Sequence, residues 1–195
     1  DLAVFRKLLL LLRPSIALVF PLCRPFPFAS ASKMSSQFNC WSLENRNFVV
    51  TGGSKGIGKA VVDALLERGA SLVLYCSRSP DAGHLAQLQA TYSNANIRHV
   101  LCDVASESGR DALIASIDFP IHGLVNNVGI NVRKPIQEQT TDEYPTILHT
   151  NIDSAYFLCR DLRDKFATTS TAIVNVSSAA GVQSSGTGIA YGMSK

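Results

Sequence analysis

The 195-residue sequence lacks the cysteine patterns of metal-binding and disulfide-rich proteins. Its five cysteines form no CxxC pair and are scattered through apolar runs, a pattern typical of reduced core thiols. The four histidines are equally dispersed, and we interpret them as structural. The sequence therefore predicts no metal site.

The sequence also lacks a cationic stripe in its main part. The net charge of +3 arises from the first 33 residues, which carry five basic residues against Asp1 alone. Residues 34–195 carry 13 basic and 14 acidic residues and are nearly neutral. Because nucleic-acid-binding surfaces cluster lysine and arginine, the sequence predicts no nucleic-acid partner.

Long hydrophobic runs are absent as well. The two longest N-terminal runs, 8–12 and 16–20, are separated by Arg13 and Pro14. Neither approaches the roughly 20 residues that a helix needs to span a bilayer, so we expect no stable membrane anchor.

Residues 1–33 form a segment of their own, rich in basic, proline and serine residues. One interpretation is a removable signal or organelle transit segment, with Ala29-Ser30-Ala31 offering small residues for cleavage. The other is that Met34 is the true start and that the preceding residues are upstream sequence. The first interpretation predicts a plastid or a mitochondrion as the destination, and the second predicts the cytoplasm.

Residues 34–195 have the length and apolar content of one globular domain. Apolar and β-branched runs alternate with helical patterns, which predicts a three-layer, doubly wound α/β domain with a parallel sheet. Its ligand crevice should open at the carboxyl ends of the strands. The predicted strands are 47–50, 72–76, 97–102, 122–125 and 172–176.

A glycine-rich segment, Thr51 to Gly58, lies between the first strand and a helical pattern that begins at Lys59. Glycine gives a tight turn its backbone freedom and lets a phosphate approach main-chain N–H groups at a helix N-terminus. In this strand-to-helix context the segment predicts a dinucleotide site.

A second helical pattern of interest is the long helix that follows a capping box at 140–143. Asn151 lies beside its predicted core stripe, a position typical of a helix-surface residue. The predicted stripe is Leu148, Ile152, Ala155, Cys159, Leu162 and Phe166.

The final residues place Tyr191 and Lys195 four apart, on one helix face. A phenol has an unperturbed pKa of about 10, and a neighbouring cation such as Lys195 can stabilise its phenolate. The spacing alone is equally typical of a solvated helix face.

Taken in order, these segments resemble the short-chain dehydrogenase/reductase family over residues 46–195. The family motifs TGxxxGxG, NNxG, helix Asn, and Ser followed by YxxxK look like Thr51–Gly58, Asn126–Gly129, Asn151, Ser178, Tyr191 and Lys195. Within the family, the tropinone reductases are most similar in three segments. These are Asn126–Pro135, Trp41–Leu43 and Thr150–Asn151.

This sequence departs from the family pattern in two ways. Val128 stands where many members have Ala, a modest change in volume. Family members also continue beyond the catalytic Lys with two further strands and a substrate-covering loop, so the resemblance implies a sheet missing its last strands.

The resemblance implies a role for each motif residue. Tyr191 would be the general acid for carbonyl reduction and the base for alcohol oxidation. Lys195 would lower the Tyr pKa and hold the nicotinamide ribose. Ser178 would hydrogen-bond the substrate oxygen, with Ser177 as the alternative. Asn151 would hold a water that links Lys195 to solvent.

The cofactor can be argued from the segment after the second strand. NAD-preferring relatives usually place a carboxylate there, whereas Tyr75–Ser79 contains none. Arg78 and Lys55 suit the 2′-phosphate of NADP(H), although both would also suit a solvated surface. The predicted cofactor set is Thr51, Gly52, Ser54, Lys55, Gly56, Ile57, Gly58, Arg78, Asp103, Val104, Asn127, Gly129, Tyr191 and Lys195.

The implied function is an NADP-dependent oxidoreductase that transfers hydride between the nicotinamide and a small carbonyl or secondary alcohol substrate. The alternatives are a 3-oxoacyl-carrier-protein reductase, which shares every motif, and a non-catalytic fragment of such an enzyme. The resemblance also implies a homo-oligomer in the full-length form.

Overall fold

The computed structural model describes residues 42–168, 170–183 and 188–195. The predicted leader, 1–33, lies outside these residues. The five strands are β1 Asn47–Thr51, β2 Leu72–Ser77, β3 Asn96–Leu101, β4 Gly123–Asn126 and β5 Ala172–Asn175. The α-helices are α1 Gly56–Glu67, α2 Ala82–Thr91, α3 Glu107–Ala115, α4 Glu143–Leu148, α5 Ser154–Asp161 and α6 Ile189–Met193.

All five strands are parallel and lie in the order β3-β2-β1-β4-β5. The predicted doubly wound sheet is therefore confirmed, with each strand boundary within two residues of its prediction. Helix α1 begins at Gly56 rather than at the predicted Lys59, because the last glycines of the turn already belong to the helix.

Helices cover both faces of the sheet and give the domain three layers. One apolar cluster joins the sheet to α1 and α2 through Val62, Leu66 and Leu88. The other joins it to α3 and α5 through side chains such as Leu113 and Leu158. Burial on both faces explains why β2 reads as a continuous apolar run, since every residue of this strand is buried.

The predicted core stripe of the long helix is partly wrong. Leu162 is buried as predicted, but Ile152 is 46% exposed, whereas Thr150 and Asn151 are buried. The buried face is offset from the predicted stripe already at Ile147, before the π-helical turn His149–Asp153 that joins α4 to α5. The buried face instead runs through Ile147, Thr150, Asn151, Ser154, Leu158 and Leu162.

Strand β5 forms one edge of the sheet, beside β4. All four of its residues are exposed, including Ile173 at 44% and Val174 at 50%. The residues of β4, by contrast, are all buried. β5 is therefore an open edge of the sheet, as the resemblance implies.

Across the described part of the chain, no helix combines the length and apolarity that crossing a membrane requires. Three cysteines in the described ranges, Cys76, Cys102 and Cys159, are free thiols, as the sequence predicts.

Candidate active site

The glycine turn connects β1 to α1 at the carboxyl edge of the sheet. Gly52 and Gly53 donate their N–H groups to the carbonyl of Cys76 on β2, at 2.9 and 3.2 Å. A Cβ on Gly58 would lie 2.2 Å from the Gly52 carbonyl oxygen, closer than any side chain tolerates. The backbone of the turn therefore folds onto the start of α1.

Thr51 and Asn127 connect this turn to the end of β4 by hydrogen bonds. The Thr51 hydroxyl accepts from the N–H groups of Asn127 and Val128, at 3.0 and 3.2 Å. The Asn127 amide donates to the carbonyls of Thr51 and Gly52, at 3.0 and 3.3 Å. Thr51 is buried, so the structure places these two members of the predicted cofactor set as supports of the turn.

The N-terminus of α1 is open. Its N-cap, Lys55, makes no side-chain cap, and its first turn holds no acidic residue. Lys55, Gly56 and Ile57 are exposed, and a Cβ on Gly56 would meet nothing within 4 Å. N–H groups and the helix dipole at such an end favour an anion, so the residues present fit a phosphate.

Arg78 lies at the neighbouring strand end, just after β2. Its guanidinium is 3.9 Å from a carboxylate oxygen of Asp103, and both side chains are partly solvent-exposed. Asp103 follows β3 and also accepts from the Ala105 N–H at 3.0 Å. Val104 beside it is buried in the core.

Lys195 lies next to the NNxG segment, Asn126–Gly129, which begins at the end of β4. Its ammonium donates to the carbonyl of Val176 at 3.1 Å. A Cβ on Gly129 would lie 2.9 Å from that ammonium nitrogen, so the lysine side chain packs closely against this glycine. Burial lowers the pKa of Lys195, which makes its ammonium a readier proton donor.

Asn151 is held by three hydrogen bonds. Its oxygen accepts from the Ile130 N–H at 2.7 Å, and its amide donates to the Ile130 carbonyl at 2.9 Å. The same amide donates to the Ser194 hydroxyl at 2.8 Å. The interpretation of Asn151 as a surface residue is wrong, because Asn151 is buried and its amide donates to Ile130 and Ser194.

Ser194 is a residue that the sequence reasoning missed. It is buried, accepts from Asn151 and donates to the Tyr191 carbonyl at 2.8 Å. It ties the helix that carries Tyr191 to the π-helical turn. No sequence signal marks it, since a serine inside YxxxK has no distinctive spacing.

Tyr191 and Ser178 lie on two packed segments. Helix α6 carries the half-buried Tyr191 and contacts the short 3₁₀ turn Ala179–Gly181 that follows Ser178. A Cβ on Gly192 would lie 2.9 Å from the Ala180 carbonyl oxygen. The Ser178 hydroxyl accepts from the Ala180 N–H at 3.3 Å, which caps this turn.

Ser177, the alternative to Ser178, is used differently. Its hydroxyl donates to the Lys195 carbonyl at 2.7 Å. This contact ties the end of β5 to the end of α6 and gives Ser177 a structural role.

Comparisons with known proteins agree with this arrangement. A sequence model of the short chain dehydrogenases matches residues 46–195. A chloroplastic tropinone reductase homolog from Arabidopsis thaliana is 36% identical over 139 residues, which cover 69% of this chain and 43% of that protein.

Two solved structures share the fold. L-sorbose reductase from Gluconobacter frateurii, complexed with NADPH and L-sorbose, matches with a TM-score of 0.74 and 26% identity, covering 79% of this chain and 60% of that one. A 3-oxoacyl-[acyl-carrier protein] reductase from Brucella melitensis matches with a TM-score of 0.69 and 28% identity, covering 78% and 60%.

The parallel sheet and its covering helices define a Rossmann-like domain. The chain belongs to the short chain dehydrogenase family, with tropinone reductase homologs among its relatives, as the sequence predicts. It spans 43 to 60% of the length of the three relatives described.

Proposed function

We propose that the protein containing this chain is an NADP-dependent reductase or dehydrogenase of carbonyl and secondary alcohol substrates. The observation that carries the proposal is the convergence of Lys195, Asn151 and Gly129 beside the end of β4. The open N-terminus of α1 lies at the same edge of the sheet. Hydride transfer needs both a nucleotide site and a proton-transfer group at that edge.

We carry the roles over from the family motifs that these residues match. The nicotinamide cofactor supplies the hydride when it is bound. Tyr191 would donate a proton to the carbonyl oxygen of the substrate, and Ser178 would hydrogen-bond the same oxygen as negative charge develops there. Lys195 would contact the nicotinamide ribose. Asn151 orders the backbone of Ile130 and, through Ser194, the helix of Tyr191.

The substrate class can be tested by following NADPH oxidation with a panel of cyclic ketones, linear ketones and 3-oxoacyl thioesters. Reduction of a cyclic ketone at a kcat/KM well above that for the thioesters supports a tropinone-reductase-like activity. The opposite order favours the second candidate, a 3-oxoacyl-carrier-protein reductase, which the Brucella melitensis structure suggests. If none of the substrates in the panel supports NADPH oxidation, both candidate activities are contradicted.

We also propose that the protein prefers NADP(H) to NAD(H). Arg78 and Lys55 are exposed cations at the two strand-end segments, and Tyr75–Ser79 at the end of β2 contains no carboxylate. A guanidinium fork matches the oxygens of a 2′-phosphate. The NADPH-bound L-sorbose reductase relative adds support.

The double substitution Lys55→Ala/Arg78→Ala tests this preference. We expect the KM for NADPH to rise about 100-fold or more, since the two lost charged hydrogen bonds cost roughly 1.5–3 kcal/mol each. The KM for NADH should change little. Equal rises in KM for both cofactors would reject the preference. The matched control is Arg163→Ala, which removes an exposed arginine outside the proposed nucleotide site.

A homo-oligomer is a further part of the proposal. Ile152 and Tyr156 near α5 and Met193 on α6 are exposed apolar side chains on the two helices that family oligomers commonly pair. The mass of the protein in solution, measured by light scattering, should exceed that of one chain. Tyr156→Glu should lower this mass, and an unchanged mass would contradict the assignment of this face.

The destination of the protein depends on residues 1–33. The relative named chloroplastic makes a plastid the destination to test first. N-terminal sequencing of the mature protein decides: a start within or just after Ala29–Ser32 supports a cleaved transit segment, and a start at Met34 or Ser35 rejects it.

A further inference from the structure

Arg78 lies in a short turn, Ser77–Asp81, that the protein anchors at both ends. At the first end, the Ser77 hydroxyl donates to the Ser79 carbonyl at 2.7 Å and lies 2.8 Å from Nε2 of His99 on β3. Ser77 is buried. The start of the turn is thereby fixed against the neighbouring strand.

At the second end, Asp81 is the centre of a partly buried hydrogen-bond network. One oxygen of Asp81 accepts from the Tyr75 hydroxyl at 3.0 Å and lies 3.2 Å from Nδ1 of His84. Nε2 of His84 lies 3.4 Å from a carboxylate oxygen of Asp63, on α1. The other oxygen of Asp63 pairs with Lys59 at 3.0 Å. The network therefore joins the turn to β2, α2 and α1.

Both carboxylates of this network lie beside polar partners. The side chain of His84 is only 9% exposed and that of Asp81 15%. Carboxylates so far from solvent need donors, and Tyr75, His84 and Lys59 supply them. Burial and the contact with Asp81 hold the pKa of Tyr75 well above its ordinary value, so its hydroxyl remains a donor near neutral pH.

Tyr75 also supports the glycine turn. It is fully buried, and its ring lies 6.1 Å from that of His84 and 5.0 Å from that of His99. A Cβ on Gly53 would lie 2.5 Å from the Cβ of Tyr75, so the glycine turn packs directly on this side chain. One residue thus contacts both the proposed phosphate turn and the network that holds the Arg78 turn.

We propose that Tyr75, Asp81 and His84 are positioning residues that fix the Arg78 turn and thereby set the preference for the 2′-phosphorylated cofactor. This inference rests on the proposed NADP-dependent function. None of the three is proposed to touch the cofactor, and each acts through the conformation of Arg78.

Two conservative variants test the inference in the protein that contains this chain. Tyr75→Phe removes only the hydroxyl, and His84→Gln removes the bridge between the two carboxylates. We expect each to weaken NADPH binding about fivefold, the effect of one lost hydrogen bond, while NADH binding stays within about twofold. Calorimetric titration of both nucleotides measures this.

Matched controls use the same chemical changes elsewhere. Tyr92→Phe removes a phenol oxygen on the same side of the sheet, and His149→Gln breaks an exposed histidine–aspartate contact of 2.6 Å. Both should leave the ratio of the NADPH and NADH affinities unchanged.

A double-mutant cycle with Arg78→Ala separates positioning from a general structural role. If His84 acts through Arg78, the double variant should bind NADPH no more weakly than Arg78→Ala alone. Additive losses, or equal losses for NADPH and NADH with a lowered Tm, would overturn the inference.

Hydrogen exchange without nucleotide gives a readout independent of the cofactor. The amides of residues 77–82 should exchange faster in Tyr75→Phe and His84→Gln than in the wild type, and those of α3 should not. Unchanged exchange at 77–82 would reject the network itself. Failure of the wild type to bind either nucleotide would instead reject the proposed function and the selectivity built on it.

Discussion

At the scale of single residues, burial distinguishes Asn151 from an ordinary helix-surface amide. The periodicity of the sequence did not predict this burial. The predicted stripe places Asn151 beside the buried face, whereas the observed face runs through Ile147, Asn151 and Ser154. Both stripes have a helical period, so periodicity alone does not choose between them. The role of Asn151 could therefore come only from the resemblance, and its hydrogen bonds only from the structure.

Replacing Asn151 with Ala should lower the free energy of unfolding by about 2–4 kcal/mol, because three buried hydrogen bonds lose their partner. Urea unfolding followed by circular dichroism measures this loss. Asn94→Ala, at an exposed position in the loop before β3, is the control and should change stability by less than about 0.5 kcal/mol. Equal effects of the two substitutions would contradict the burial of the amide.

Two glycines offer a second comparison of single positions. Gly58→Ala should lower the free energy of unfolding by about 1–3 kcal/mol, because the new Cβ meets the Gly52 carbonyl at 2.2 Å and the backbone must shift. Gly83→Ala, in α2 with nothing within 4 Å, should raise it by about 0.4–1 kcal/mol. Thermal unfolding distinguishes them, and a neutral Gly58→Ala would contradict the packing of the turn on α1.

At the scale of elements, residue patterns predicted the strands and the helices on both faces of the sheet. β-Branched and apolar runs such as Leu72–Ser77 admit few other structures when both faces are buried. The predicted capping box is half present: Glu143 accepts from the Thr140 N–H at 2.9 Å, but Asp142 is the N-cap of α4. A distant partner, Lys134, also bonds Glu143, and such a contact depends on the path of the loop.

The start of α4 should be sensitive to acid. The hydrogen bond from Lys134 and the Thr140 N–H lower the pKa of Glu143, so its contribution to stability is present above its unfolded pKa of about 4.3. That contribution is lost as the pH falls through the lower folded pKa.

Urea unfolding of the wild type and Glu143→Gln between pH 7 and pH 3 tests this. The difference in the free energy of unfolding should be constant above about pH 5 and shrink toward pH 3. Glu138→Gln, at an exposed position, should show no such trend. A difference that grows on acidification would contradict the assigned contacts.

At the scale of the whole molecule, motif spacing and topology contributed different parts of the site. The glycine turn and Asp103 were expected at the same edge because parallel strands end there together. The network of Asp63, Asp81 and His84 could not be predicted, since its members have ordinary helix-surface spacings and meet only when α1 and α2 pack on β2.

We propose above all that Tyr191 transfers a proton during hydride transfer between NADPH and a carbonyl substrate. The most direct measurement is the rate of ketone-dependent NADPH oxidation by the protein that contains this chain, for the wild type and for Tyr191→Phe. We predict a kcat at least about 100-fold lower in the variant, with NADPH affinity within twofold, because a general acid contributes roughly 10²–10⁴-fold. A variant as active as the wild type would contradict the claim.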